Sequence, residues 1–174
     1  MNNAAGRQGI DSALDVAIAL SCAVFIAVLL LSGYFEHDVL TLHLFQSLIY
    51  VAVAFLSLKR NKFGYGMGIS IASEWNAYNL FASGFIAAGF RQMTMLLQSG
   101  RISKPVHLLG AIGGIDHFAL IACLLWAYAR LPTKRFRDAW ILLTSAIVVT
   151  VYFLAISAML WPQFIPRLRR HIGV

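Results

Sequence analysis

Residues 65–98, YGMGISIASEWNAYNLFASGFIAAGFRQMTMLLQ, decide how the rest of the chain is read. Their centre, Glu74-Trp75-Asn76-Ala77-Tyr78-Asn79, sets a carboxylate, two carboxamides, an indole and a phenol side by side, and residues 80–90 then continue mostly apolar. Ser70, Ser73, Asn76, Asn79, Ser83, Ala87, Arg91, Thr94 and Gln98 recur every three or four positions, which makes one small-or-polar stripe on a helix. Ile71, Trp75, Tyr78, Phe85 and Met93 fall on the opposite side. Such a helix can cross a bilayer with its stripe against other helices, where small residues permit close approach. It can also lie along the membrane surface, which favours bases on the polar face. No base occurs between Gly64 and Phe90, so the spacing predicts a crossing over 67–97, with Gly64, Gly66 and Gly68 as a flexible entry. The alternative is four spans plus one interfacial or re-entrant helix at 64–98.

The flanking runs are simpler. Residues 14–35, 39–58, 106–130 and 139–161 are apolar and long enough to span, since about 20 residues cross a hydrocarbon core. Ser12 can cap the first helix, with Asp15 in its first turn. The apolar run that follows is too long for a cleavable signal peptide and is read as a retained span. The fold class expected is therefore all-α: one polytopic membrane bundle, residues 1–174, of about five transmembrane helices. Gly110 and Gly114 form a small-xxx-small pair that suits tight helix crossing.

Composition agrees. Hydrophobic residues make up 60% of the 174 and charged residues 12%, about half the share usual in soluble domains, and mean hydropathy is +0.75. The net charge of +7 would suggest nucleic acid in a soluble protein. Here the bases sit at the ends of apolar runs: Lys59, Arg60 and Lys62, then Lys134, Arg135 and Arg137, then a tail of Arg167, Arg169, Arg170 and His171. That placement suits orientation signals and anionic headgroups, so the expected partners are a lipid bilayer and other membrane subunits or further copies of the chain, and not nucleic acid. An acidic turn, Glu36-His37-Asp38, opposes Lys59, Arg60 and Lys62 across the second span. The N-terminus is then expected in the cytoplasm and the protein in a plasma (inner) membrane. Charge bias across the chain favours four spans, and hydropathic length favours five.

Few residues offer chemistry. Glu74 would lie about 10 Å into the bilayer, where acids are costly and usually functional, with Asn76 and Asn79 as neutral ligands on an ion or solute path. Asp116 and His117 in the fourth span extend that candidate path, although neighbours on a helix point about 100° apart and poorly share one site. His43 and His117 are the candidates for haem or a metal, but their depths differ by roughly 9 Å and the chain has no HxxxH or ExxH spacing. No cofactor is predicted. Cys22 and Cys123 lie in apolar runs without CxxC spacing and read as small hydrophobic residues. Trp126, Trp140 and Trp161 suit interfacial belts. Nucleophile, nucleotide and ion-filter motifs are missing, and GYGMG at 64–68 lacks the context of a potassium filter.

These features lead first to a non-catalytic accessory or structural membrane component. A small oligomeric transporter or channel with its polar path along the third helix is second, and a membrane redox or lipid-modifying enzyme third.

Overall fold

The structure, a computed structural model, describes residues 3–131, 136–161 and 166, with side chains described from Ser12 onward. The described residues form helices and no strands: α1 (Asn3–Phe35), α2 (Leu40–Leu58), α3 (Lys62–Ala77), α4 (Phe85–Ser99), α5 (Pro105–Ala129) and α6 (Arg137–Leu160). A 3-10 turn, His37–Val39, joins α1 to α2, and a π-helical turn, Tyr78–Ala82, extends α3. Four segments are each long and apolar enough to cross a membrane: Ser12–Phe35, His37–Leu58, Pro105–Ala129 and Arg137–Leu160. A bent pair, Lys62–Ala82 with Phe85–Ser99, raises the number to five if the pair counts as one broken span rather than a re-entrant loop. Lys134, Arg135 and the basic tail from Arg167 lie outside the described residues.

The helices run between two ends of one bundle. At one end Arg60, in the turn between α2 and α3, pairs with Asp15 of α1 (3.2 Å), and Lys62 of α3 pairs with Asp138 of α6 (2.6 Å). At the other end Glu36, Val39, Val106 and Trp161 surround one cavity. Ser21 of α1 meets Asp116 of α5, whereas Phe25 and Val28, further along α1, meet Gly113, so α5 runs antiparallel to α1. Because α5 starts at the Glu36 end, the chain between Lys62 and Pro105 crosses the bundle. The outward faces carry Val16, Leu20, Leu44, Val51, Phe118 and Val151, an apolar exterior compatible with lipid.

Three expectations need correction. First, α1 begins at Asn3, so Ser12 sits inside the helix rather than at its cap. Second, 67–97 is not one straight helix: the chain bends by 77° between Ala82 and Phe85. The π turn, Gly84 in the left-handed region (φ +65°) and the Ser83 hydroxyl accepting the Phe85 N–H (3.1 Å) stop one helix and start another. Lys62–Ala82 alone reaches about 30 Å at roughly 1.5 Å per residue, and α4 then climbs obliquely over α5. The stripe accordingly fails to act as one packing seam. Only Asn76 and Asn79 of it are buried, Ser73, Ala87, Arg91, Thr94 and Gln98 are exposed, and Ile71 and Trp75 from the other side enter the core.

Third, Gly64, Gly66 and Gly68 are packing surfaces, not a flexible entry. A Cβ on Gly64 would strike Leu56 of α2, one on Gly66 would strike Ser145 of α6, and one on Gly68 would lie 2.5 Å from Leu124 of α5. With no side chains in the way, α3 sits among three helices. Asn61 starts it by accepting the Phe63 N–H (2.9 Å).

The crossing is testable by labelling. In a chain with Cys22 and Cys123 replaced by Ala, Ser99→Cys should react with a membrane-impermeant maleimide from the same side as Glu36→Cys. Asn61→Cys should react from the opposite side. Ser99→Cys labelling together with Asn61→Cys would mean that the third segment turns back.

Candidate functional site

The core of the bundle is an aromatic cluster drawn from four helices. His117 of α5 is fully buried, with Phe25 of α1 at 3.8 Å between ring centroids, Trp75 of α3 at 4.9 Å edge-on and Tyr50 of α2 stacked at 5.6 Å. The Tyr50 hydroxyl shares a 2.8 Å hydrogen bond with His117 Nε2. Gly113 makes room for Phe25, since a Cβ there would sit 2.9 Å from its ring.

The polar residues singled out above do not converge. Glu74 faces α6 and accepts a hydrogen bond from the Thr150 hydroxyl (2.5 Å). Asn76 turns to α5 and donates to the Gly114 carbonyl (3.4 Å). Asp116 accepts from Ser21 of α1 (2.9 Å), while its neighbour His117 points into the aromatic cluster, the divergence expected of consecutive helical positions. Asn79 donates to the Trp75 carbonyl (2.9 Å) and accepts from Ser83 (2.9 Å), which braces the π turn. Four of the five therefore link neighbouring helices, and Asn79 shapes the break in α3. Asn76 Oδ1, Asp116 Oδ2 and His117 Nδ1 are buried without a hydrogen-bond partner among the described residues.

His43 and His117 do not share a ligand position. His117 is enclosed by Phe25, Tyr50 and Trp75, and its Nε2 is engaged by Tyr50. His43 Nδ1 lies 2.9 Å from the Leu29 carbonyl, and a carbonyl only accepts, so this nitrogen carries the proton. The enclosed His117 ring does not fit an axial haem ligand, and no group of three His, Cys, Asp or Glu side chains able to hold a metal ion occurs among the described residues. Cys22 is a buried thiol and Cys123 a half-buried one, and neither is in a disulfide.

The break in α3 opens onto a cavity of about 160 Å³ at the Glu36 end. α1, α2, the π turn and the end of α6 form its walls. Asn79 is the only residue of the candidate polar path that reaches it; His43 lines it too. Gln46, which no motif search would select, is the decisive addition. It is 6% exposed, it lines the cavity, and its Oε1 has no partner among the described residues. A lone carboxamide within an apolar span was the available signal. Trp161 lines the same cavity, whereas Trp126 and Trp140 are exposed on the outer surface.

Compared with known proteins, the chain matches no family model, no curated protein and no solved structure.

Proposed function

We propose that this chain is an integral protein of a plasma (inner) membrane, with its N-terminus cytoplasmic, and that it serves as a non-catalytic accessory or structural component acting through partners in the bilayer. The supporting observation is that its intramembrane polar groups serve as links between helices: Glu74 with Thr150, Asp116 with Ser21, Asn76 with Gly114 and His117 with Tyr50. Polar side chains used in this way fix the packing of helices in a solvent that gives them no other partner. The apolar exterior of α1, α2, α5 and α6 then meets lipid and other membrane subunits.

A native mass spectrum of protein purified gently from its own membrane tests this. Additional protein masses are expected, and a chain carrying only copies of itself would overturn the reading. Glu74→Leu removes the acceptor for Thr150, whose hydroxyl also reaches the Ala146 carbonyl (2.9 Å), so the expected loss of stability is about 0.5–1.5 kcal/mol. Co-purification should weaken with it.

The broken helix beside a cavity favours a second reading, a small oligomeric transporter or channel, because discontinuous helices often form substrate sites in transporters. It predicts solute flux in reconstituted vesicles that Asn79→Leu abolishes, and vesicles without flux would remove it.

A further inference from the structure

The cavity beside the break has one charged side chain among its described lining residues, Glu36, and its other polar groups are neutral. Gln46 offers a buried carboxamide oxygen that has no donor among the described residues, an arrangement that native proteins rarely leave unanswered. His43 spends its Nδ1 proton on the Leu29 carbonyl, so the neutral ring has only the Nε2 lone pair left to offer. Glu36 adds an exposed carboxylate at the mouth. The described residues lining the cavity include no lysine or arginine. All three groups therefore ask for hydrogen-bond donors and positive charge, and two of them stand inside the apolar zone.

Five aromatic side chains, Trp75, Tyr78, Phe85, Phe153 and Trp161, share the rest of the lining with aliphatic residues, serines and Asn79. Aromatic faces around a cation attract it through the ring quadrupole, and cages of this kind hold ammonium groups. The volume of about 160 Å³ is close to the roughly 150 Å³ of an engineered apolar cavity that holds benzene. One small ring or short alkyl chain with an ammonium group fills such a space. The π turn and the Ser83–Gly84 break form the wall on the α3 side, and π turns inside helices recur at functional sites.

We infer that the cavity between α1, α2, the π turn and the end of α6 is a binding site for a small organic ammonium ion, held by Gln46, His43 and Glu36 and enclosed by aromatic rings. Glu36 attracts the cation to the mouth. Gln46 and His43 accept its N–H groups inside, and the rings replace its lost hydration. A carboxylate of the same size would meet the Glu36 carboxylate and no lysine or arginine among the described lining residues, so the site discriminates by sign.

The probes are 2-phenylethylammonium, the neutral 2-phenylethanol and the anionic phenylacetate, each added to the purified full chain in detergent. Thermal midpoint and intrinsic tryptophan fluorescence report binding, since Trp75 and Trp161 line the site. The ammonium probe should give a saturable response and the other two a weak or linear one. Gln46→Leu and Glu36→Gln should each weaken the ammonium response about tenfold, as expected for one lost hydrogen bond or contact to a charged group. Glu36 is exposed, so its variant folds and keeps the test intact if Gln46→Leu does not. Equal responses to all three probes, a stronger response to phenylacetate, or an ammonium response unchanged in Glu36→Gln would each overturn the assignment.

Discussion

Phe25→Ala should lower the stability of the bundle by about 2–3 kcal/mol, the cavity part of the cost of emptying a fully buried phenylalanine site. Phe25 has no exposed surface and touches the Tyr50, Trp75 and His117 rings at centroid distances of 4.6, 5.1 and 3.8 Å. Those rings belong to α2, α3 and α5, so one truncation loosens three helix contacts of α1 at once. Lipid is as apolar as the core, which makes the transfer part of the loss small. What is forfeited is close packing: contacts that no neighbour can replace across a gap. Unfolding by a denaturing detergent, followed by tryptophan fluorescence, measures the change. Leu20→Ala on the same helix is the comparison. Leu20 is 61% exposed on the lipid-compatible face, so its truncation should stay within about 0.5 kcal/mol. Similar losses at both positions would mean that the aromatic cluster does not hold the bundle together.

That cluster also marks the limit of what the chain's order of residues discloses. The four long apolar helices were legible because an uncharged apolar run of sufficient length has few other fates, although α1 begins well before the apolar run, at Asn3. The divergence of Asp116 and His117 was legible too, since it follows from helix geometry alone. Residues 65–98 misled for a physical reason. A stripe of small and polar residues continues through Ser83 to Ala87 at helical spacing, and inside an apolar segment such a stripe reads as one packing face. In the structure Ser83 and Gly84, between those positions, end one helix and start the next. A π turn of five residues then shifts the faces, so Asn79 lies at the cavity while Ala87 and Arg91 lie outside. Glu74 and Asn76 of the candidate polar path separate for a related reason: they are two positions apart and point to different helices, α6 and α5. The cavity was not legible at all. Gln46, Asn79 and Ser157 come from three helices, and nothing in their spacing along the chain announces that the fold brings them together.

The second large effect belongs to the oblique helix. Gly89→Leu should detach α4 from α5, at a cost of about 1–3 kcal/mol or more for overpacking a tight contact. A Cβ on Gly89 would strike the His107 carbonyl and lie 2.6 Å from the Ala111 nitrogen. Both are backbone atoms of α5, so no side-chain rotation relieves the clash and the whole helix must lift. The better helix propensity of leucine, worth a little under 1 kcal/mol over glycine, offsets only part of this. Lifting α4 also breaks the connection to α5, where Gln92 Oε1 accepts from the Ser103 N–H and hydroxyl (both 3.0 Å) and the Lys104 N–H (3.2 Å). It withdraws Phe85 and Ile86 from Gly110 and Gly114, the small pair that gives α4 its seat. The loss is therefore local before it is global. Trypsin should cut at Arg91 and Arg101 faster in the variant, while the melting of α1, α2 and α6 moves less. Ala87→Leu, on the exposed side of the same helix, should leave the cutting rate unchanged. If Gly89→Leu resists trypsin as well as the parent chain does, α4 is not seated on α5 through that glycine, and the bend at Ser83 and Gly84 must be held by the π turn alone.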